Sequence, residues 1–138
     1  MDIRRHNRAA MEAHPMFRKI TMLEGSSTDE RIAEQVRSIA SSNEKIIVLL
    51  DSCHTEEHVL REMEIYSPLV SAGSYLVVYD TLVEFEDKPH TDRPWGKGNN
   101  PYTAVQKFLL MHDEFSVDEE IEQKIVITSC PGGWLRRR

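Results

Sequence analysis

The chain has 138 residues, enough for one domain with a hydrophobic core, and its formal net charge at neutral pH is −6. This acidic balance argues against a general nucleic-acid binder, and two cysteines are too few for a secreted disulfide framework or a zinc motif. No apolar run approaches the ~20 residues of a membrane helix and no signal-peptide core is visible at the start, so we expect a cytoplasmic protein.

The first third of the chain predicts a helix, a strand and a second helix. Asp2–His14 is a polar helical stretch that Pro15 ends, and Lys19–Leu23 (KITML) is a short strand. Ser26 and Ser27 lie in a loop of turn and helix-capping residues and are expected to cap the second helix. That helix is predicted over Glu30–Ser41, where apolar residues repeat at helical spacing.

The centre of the chain predicts a strand–helix–strand unit. Ile46–Leu50 is a run of five aliphatic residues, and Tyr75–Val78 is a second apolar run. Between them lies an amphipathic helix that Thr55 can cap and that Gly73 follows. Two strands joined by a helical crossover are expected to be parallel and buried on both faces.

Each of these strands ends on an aspartate, Asp51 or Asp80. Ligands of open α/β sheets collect outside the carboxyl ends of the strands, so both carboxylates are expected at that edge. Two converging carboxylates can hold a hard cation such as Mg²⁺. The alternative is that each aspartate only caps a helix or forms a turn.

The second half of the chain begins with a long segment without periodicity, Thr81–Asn100, whose length favours a functional loop. Asn100 followed by Pro101 marks a helix start, and Lys124–Thr128 (KIVIT) predicts a last strand. The alternation of strands and helices predicts one α/β domain over residues 1–138 with a mainly parallel sheet.

Three blocks of the sequence carry a family resemblance: DSCHTEEHVLREMEIYSPLVSAGSYLVVYDT, RPWGKGNNPYTAVQKFL and PGGWLRR. Together they resemble the cephalosporin hydroxylase / rhamnosyl O-methyltransferase family, over essentially the whole chain. The resemblance implies a class I methyltransferase that depends on S-adenosylmethionine (SAM), with a Rossmann-like sheet, flanking helices and often a divalent metal. It implies methyl transfer to oxygen.

The resemblance also implies roles for particular residues. Asp51 and Asp80 match metal-ligand aspartates of the family, while Tyr79 stands where some relatives carry an acid. His54 falls where metal-dependent catechol-type methyltransferases place a catalytic lysine. With Asp51, His54 would deprotonate the acceptor hydroxyl as a general base. The alternative is an ordinary surface or capping histidine.

The cofactor-binding residues implied by the resemblance are Gly25, Ser26 and Ser27, which align with the loop that contacts the adenine of SAM. No glycine precedes Gly25, so the family's glycine-rich cofactor turn is absent, and Asp2 is a displaced candidate for the ribose-binding acid. The resemblance therefore implies a sheet that is incomplete at its first-strand side. We expect the remaining strands to close the gap, another chain to fill it, or the chain to be an N-terminally truncated part of a longer protein.

Trp95, Asn99 and Asn100 are the candidate acceptor-binding residues, on a loop that is either a substrate lid or simply packed over the sheet edge. We expect SAM-dependent O-methylation of a small hydroxylated acceptor such as a sugar, a lipid-linked sugar or a secondary metabolite. The sequence leaves open whether the protein forms a homo-oligomer. The alternative is a truncated methyltransferase-like protein without cofactor that has a non-catalytic or assembly role.

Overall fold

The computed structural model describes residues 5–87 and 91–138. Short 3₁₀ segments at Pro15–Lys19, Ser67–Leu69 and Thr81–Phe85 connect the main elements. In chain order these elements are α1 (Arg5–Glu12), α2 (Glu30–Ala40), β1 (Val48–Leu50), α3 (Glu56–Tyr66), β2 (Tyr75–Val78), α4 (Pro101–Leu109), β3 (Phe115–Val117), α5 (Glu119–Ile125) and β4 (Trp134–Arg137).

The sheet has the strand order β1-β2-β4-β3. Strands β1 and β2 pair in parallel, with Leu49 opposite Val77, as the strand–helix–strand pattern predicts. The α/β class is confirmed, but the prediction of a mainly parallel sheet is wrong because β4 pairs antiparallel with both β2 and β3. The turn before β4 lies at the carboxyl end of β2, where Val78 donates its N–H to Gly133 O at 2.9 Å. A strand that starts at that end must run in the opposite direction.

Two predicted strands do not form. Lys19 closes a 3₁₀ segment and the chain up to Leu23 pairs with no strand in the described part of the molecule. In the Lys124–Thr128 stretch, α5 continues to Ile125. Asp118 caps the first turn of this helix, and the acidic residues in that turn interact favourably with the positive end of the helix dipole. Ile127 is 87% exposed, so this apolar run does not enter the core.

The core joins α3 and α4 to the sheet. Met63 from α3 and Phe108 from α4 are fully buried, together with Leu76 and Leu135 from the neighbouring strands β2 and β4. The helical periodicity predicted for α3 is confirmed, because Val59, Met63 and Tyr66 all belong to this cluster. The core therefore holds the two parallel strands in the register that brings Asp51 and Asp80 to one edge.

The edge of β1 opposite β2 is unpaired within the described residues. Ile47 is 52% exposed and Leu49 55%, although both belong to a run of aliphatic residues that predicts a buried strand. A cavity of about 410 Å³ lies along this edge, between β1, α2 and α3. This open side distinguishes β1 from β2, whose residues Leu76, Val77 and Val78 are buried.

Candidate functional site

The candidate site is a cluster of two carboxylates and an imidazole at the carboxyl ends of β1 and β2. One oxygen of Asp51, one oxygen of Asp80 and a ring nitrogen of His54 lie within 4.8 Å of one another. His54 Nε2 is 3.3 Å from Asp80 Oδ2 and 4.0 Å from Asp51 Oδ1. The structure thus places these three sequence-predicted residues together, at the edge where parallel strands present ligand-binding residues.

Local backbone structure directs the Asp80 carboxylate toward this cluster. Asp80 has φ 57° and ψ 26°, in the left-handed region, which aspartate adopts more readily than most residues. It precedes the 3₁₀ segment Thr81–Phe85, but its side chain makes no capping hydrogen bond there. The carboxylate therefore remains available to His54, and the helix-cap alternative does not describe its position.

An aromatic side chain fixes the position of the imidazole. The rings of His54 and Trp95 are stacked, with centroids 4.9 Å apart and planes 19° apart. The guanidinium of Arg93 lies 5.3 Å from the Trp95 ring centroid. The side chain of His54 is only 16% exposed, whereas that of Asp51 is 63% exposed. The stack therefore leaves the imidazole a narrow range of orientations beside the carboxylates.

A cavity of about 590 Å³ opens on this cluster. It is lined by His54, Asp80, Trp95 and Arg93, and by Ser52 from the loop after β1. Its volume lies within the range of small-molecule sites, which is about 300–1,000 Å³. This mixture of an aromatic face and charged groups suits a small polar molecule.

The loop that carries Trp95 is held by a partly buried hydrogen-bond network around Glu84. Glu84 Oε2 accepts the backbone N–H of Gly98 at 2.8 Å and the amide of Asn100 at 2.5 Å. The Gly98 N–H, followed by the Asn100 amide, holds the pKa of Glu84 below its usual range. The ionised Glu84 thus ties the 3₁₀ segment Thr81–Phe85 to Gly98 and Asn100, at the end of the loop that carries Trp95.

The other two residues expected to bind the acceptor have structural contacts. Asn100 is fully buried, caps α4 through Oδ1, and donates from Nδ2 to Glu84 and to Gly96 O. These contacts use all four of its hydrogen-bonding positions. Asn99 is exposed, and its side chain accepts from Glu56 N and donates to Pro94 O. Of the three predicted acceptor residues, only Trp95 lines the cavity.

The residues expected to contact the cofactor do not line the cavity that contains His54. Gly25 and Ser27 line the cavity along β1, while Ser26 is exposed and contacts Thr28. The helix cap of α2 is Asp29, so the expectation that Ser26 and Ser27 cap it is wrong. Asp2 lies outside the described residues.

One ionisable residue near the site was missed from the sequence. Glu62 is 2% exposed in α3 and accepts a hydrogen bond from Ser52 Oγ at 2.7 Å. His58 Nε2 lies 3.6 Å from Glu62 Oε1 and 3.2 Å from Ser27 Oγ. A signal existed, because Glu62 falls between Val59 and Met63 on the apolar face of a predicted helix, where a charged residue is unusual.

Both cysteines, Cys53 and Cys130, are free, so the chain has no disulfide. Among the described residues, no helix is long and apolar enough to cross a membrane.

The family model and the curated proteins that match this chain carry the same name. The family model "Rhamnosyl O-methyltransferase/CmcI" matches residues 1–138. Proteins named rhamnosyl O-methyltransferase from Mycobacterium bovis and Mycobacterium tuberculosis are 41% identical over 123 residues, which is 86% of this chain and 47% of theirs. The Mycobacterium leprae protein of the same name is 36% identical over 121 residues, 86% of this chain and 51% of its own. The chain thus spans about half the length of these curated relatives, and no solved structure matches it.

Proposed function

The chain belongs to the rhamnosyl O-methyltransferase/CmcI family, and we propose that it forms the catalytic half of an enzyme that methylates a hydroxyl of a rhamnosyl acceptor. SAM is the methyl donor that an O-methyltransferase family implies. The acceptor is suggested by the names of the mycobacterial relatives. We place the acceptor in the 590 Å³ cavity beside His54 and Trp95.

The observation that supports this proposal most is the position of His54 Nε2, 3.3 Å from Asp80 Oδ2 in a cavity wall. A sugar hydroxyl is a poor nucleophile until its proton is removed, and an imidazole is a suitable general base near neutral pH. Asp80 compensates the positive charge that develops on the ring when it accepts a proton. Trp95 keeps the ring plane fixed, so the nitrogen faces the same point in each catalytic cycle.

The reaction balances with these groups. SAM, when bound, supplies a methyl group on a positively charged sulfur, which leaves as a neutral thioether. His54 Nε2 takes the proton of the acceptor hydroxyl as the oxygen–carbon bond forms and the sulfur–carbon bond breaks. The proton then passes from His54 to water. The remaining work of the protein is to align oxygen, methyl carbon and sulfur, and to exclude competing water.

Asp51 and Asp80 would also hold a divalent cation such as Mg²⁺ in this proposal. The carboxylate oxygens of Asp51 and Asp80, which lie within 4.8 Å of each other, fit two positions in the oxygen donor set of such an ion. Tyr79 supplies no third carboxylate, so water or the acceptor would complete the coordination. When bound, the cation would polarise the acceptor hydroxyl. With the ion held by the two carboxylates, His54 stays free to act as the base.

The test is transfer of labelled methyl from SAM to a rhamnosyl glycoside by the purified protein, with and without Mg²⁺ and a chelator. We expect His54→Ala to lower the rate about 10²- to 10⁴-fold, the range for loss of a general base. The matched control is His6→Ala, since His6 is exposed on α1. Equal rates for the native protein and His54→Ala would remove His54 from the mechanism. The non-catalytic alternative predicts that no methyl transfer and no SAM binding occur at all.

A further inference from the structure

Two neighbouring asparagines after Trp95 hold the N-termini of two different helices. Asn100 caps α4, whereas Asn99 reaches α3. Asn99 Oδ1 accepts the backbone N–H of Glu56, the first residue of α3, at 3.0 Å. The first N–H groups of a helix have no partner within the helix, and Thr55, directly before α3, makes no side-chain capping bond among the described residues. Asn99 therefore supplies an acceptor to the N-terminus of α3 from 43 positions away in the chain.

The other end of the same amide is bonded beside Trp95. Asn99 Nδ2 donates to Pro94 O at 3.0 Å, and Pro94 is the residue before Trp95. The backbone groups of Gly96 and Asn99 also exchange two hydrogen bonds of 3.0 Å, which close a turn directly after Trp95. A backbone N–H needs an acceptor and a backbone carbonyl needs a donor, so the two side-chain bonds fix the orientation of the amide. One side chain thus joins both flanks of Trp95 to the start of α3.

His54 belongs to the segment that Asn99 joins to Trp95. It precedes Glu56 by two residues, and its ring stacks on Trp95 with centroids 4.9 Å apart. The two rings are attached to different segments, so the stack persists only while these segments keep a fixed separation. Glu84 ties the loop to the 3₁₀ segment that precedes it, whereas Asn99 ties the loop to the segment that carries His54.

We propose that Asn99 is a positioning residue whose two hydrogen bonds hold the Trp95 ring against His54. Asn99 is exposed and does not line the cavity that contains His54, so it acts through these two residues and not on an acceptor. One of its bonds reaches α3 just after His54, and the other reaches the loop just before Trp95. The consequence for catalysis rests on the proposed methyl transfer, whereas the stack can be measured in the protein alone.

Two substitutions separate the two hydrogen bonds of Asn99. Asn99→Asp keeps an oxygen acceptor for the Glu56 N–H, and its negative charge suits the positive end of α3, but it has no N–H to donate to Pro94 O. Asn99→Ala loses both bonds. The matched control is Asn43→Ala, because Asn43 is an exposed asparagine just after α2 whose side chain donates to Ile39 O. The control removes one bond from a side chain to a backbone group and leaves the loop unaltered.

Hydrogen exchange and NMR follow the two contacts in the purified protein near neutral pH. We expect the Glu56 amide to exchange about 2- to 10-fold faster in Asn99→Ala, the effect of losing one hydrogen bond, and at the native rate or slower in Asn99→Asp. The ring protons of His54 report the stack, because an indole stacked on them shifts their resonances upfield. In both variants these resonances should move toward their positions in Trp95→Leu, which has no stack, and in Asn43→Ala they should stay native.

The Asn99→Asp variant separates positioning from a purely structural cap. It keeps the bond to α3 and should melt like the native protein, so a lost stack in this variant reflects the position of the loop and not unfolding. Native His54 resonances in either Asn99 variant would overturn the inference, because at least one of the two bonds would then be dispensable.

The rate of methyl transfer tests the consequence for catalysis. In a native protein that transfers methyl groups, Asn99→Asp should lower kcat about 10- to 100-fold, because a displaced imidazole is poorly aligned with the acceptor hydroxyl. A lost stack with native kcat would contradict the proposed role of His54 and support the inference that Asn99 positions it. A native protein without methyl transfer would overturn the proposed function, and the NMR comparison would still decide the inference.

Discussion

Replacing Glu84 with glutamine should loosen the loop that positions His54. In the native protein, Glu84 Oε2 accepts from Gly98 N at 2.8 Å and from the Asn100 amide at 2.5 Å. Glutamine can accept through its carbonyl only, and its N–H₂ group repels either donor. A hydrogen bond to a charged group contributes about 1.5–3 kcal/mol, and a neutral one about 0.5–1.5 kcal/mol. After allowance for partial solvent exposure, we expect Glu84→Gln to lower the unfolding free energy by about 1–2 kcal/mol.

The size of this loss should depend on pH, because the pKa of Glu84 is lowered in the folded protein by the Gly98 N–H and by Asn100. A lowered pKa means that folding favours the charged form. The contribution of the Glu84 charge to the free energy of unfolding is complete at pH values above the pKa of the unfolded state, about 4.3. It is lost as the pH falls through the pKa of the folded state. The native protein and the variant should therefore differ most near neutral pH and converge in acid.

Urea unfolding at about pH 7 and about pH 4 measures both effects, and a melting scan should show a decrease of roughly 3–8 °C near neutral pH. Methyl transfer should fall as well, because Trp95 stacks on His54 from the loop that Glu84 holds. Asp87→Asn, an exposed acid just before the loop, is the matched control. A stability difference of the same size at both pH values would refute the argument from the Glu84 charge.

Two further predictions concern the sheet. Gly133→Ala should destabilise the protein by about 2–3 kcal/mol in urea unfolding, because the new Cβ would lie 2.3 Å from Val78 O. Gly96→Ala is the control. A Cβ at Gly96 would have no atom within 4 Å, so this variant should change stability by less than about 0.5 kcal/mol. The hydrogen bond to Asp118 raises the pKa of Tyr75, so Asp118→Asn should shift Tyr75 ionisation to lower pH in an ultraviolet titration, and an unshifted curve would mean that the 2.8 Å contact is not formed in solution.

The candidate site could be predicted from the sequence because parallel strands align their ends. Once Ile46–Leu50 and Tyr75–Val78 are joined by a helix, the segments that follow them must share an edge. Asp51 directly follows the first strand, and Asp80 is the second residue after the other strand. His54 follows Asp51 by three residues, so its side chain can lie close to both carboxylates. The catalytic role proposed for His54 comes from the resemblance, because spacing alone does not give it.

Other parts of the site could not be read from local sequence. Asn100 carries a helix-start signal and also lies in the predicted lid, and only the folded chain shows that its amide is fully engaged with Glu84 and Gly96. The buried position of Glu62 depends on how α3 packs against β1. Such contacts join residues far apart in the chain, so no window of sequence contains both partners.

The sequence by itself determined the α/β class, the parallel pairing of β1 with β2 and the family, because these follow from apolar periodicity and from long blocks of shared residues. The tertiary structure determined the direction of β4 and whether two apolar runs form strands. KITML and KIVIT have strand-like composition, but a strand is stable only when a neighbour satisfies its backbone hydrogen bonds. In the described molecule that neighbour exists for Trp134–Arg137, which pairs with β2 and β3, and not for either of the two runs.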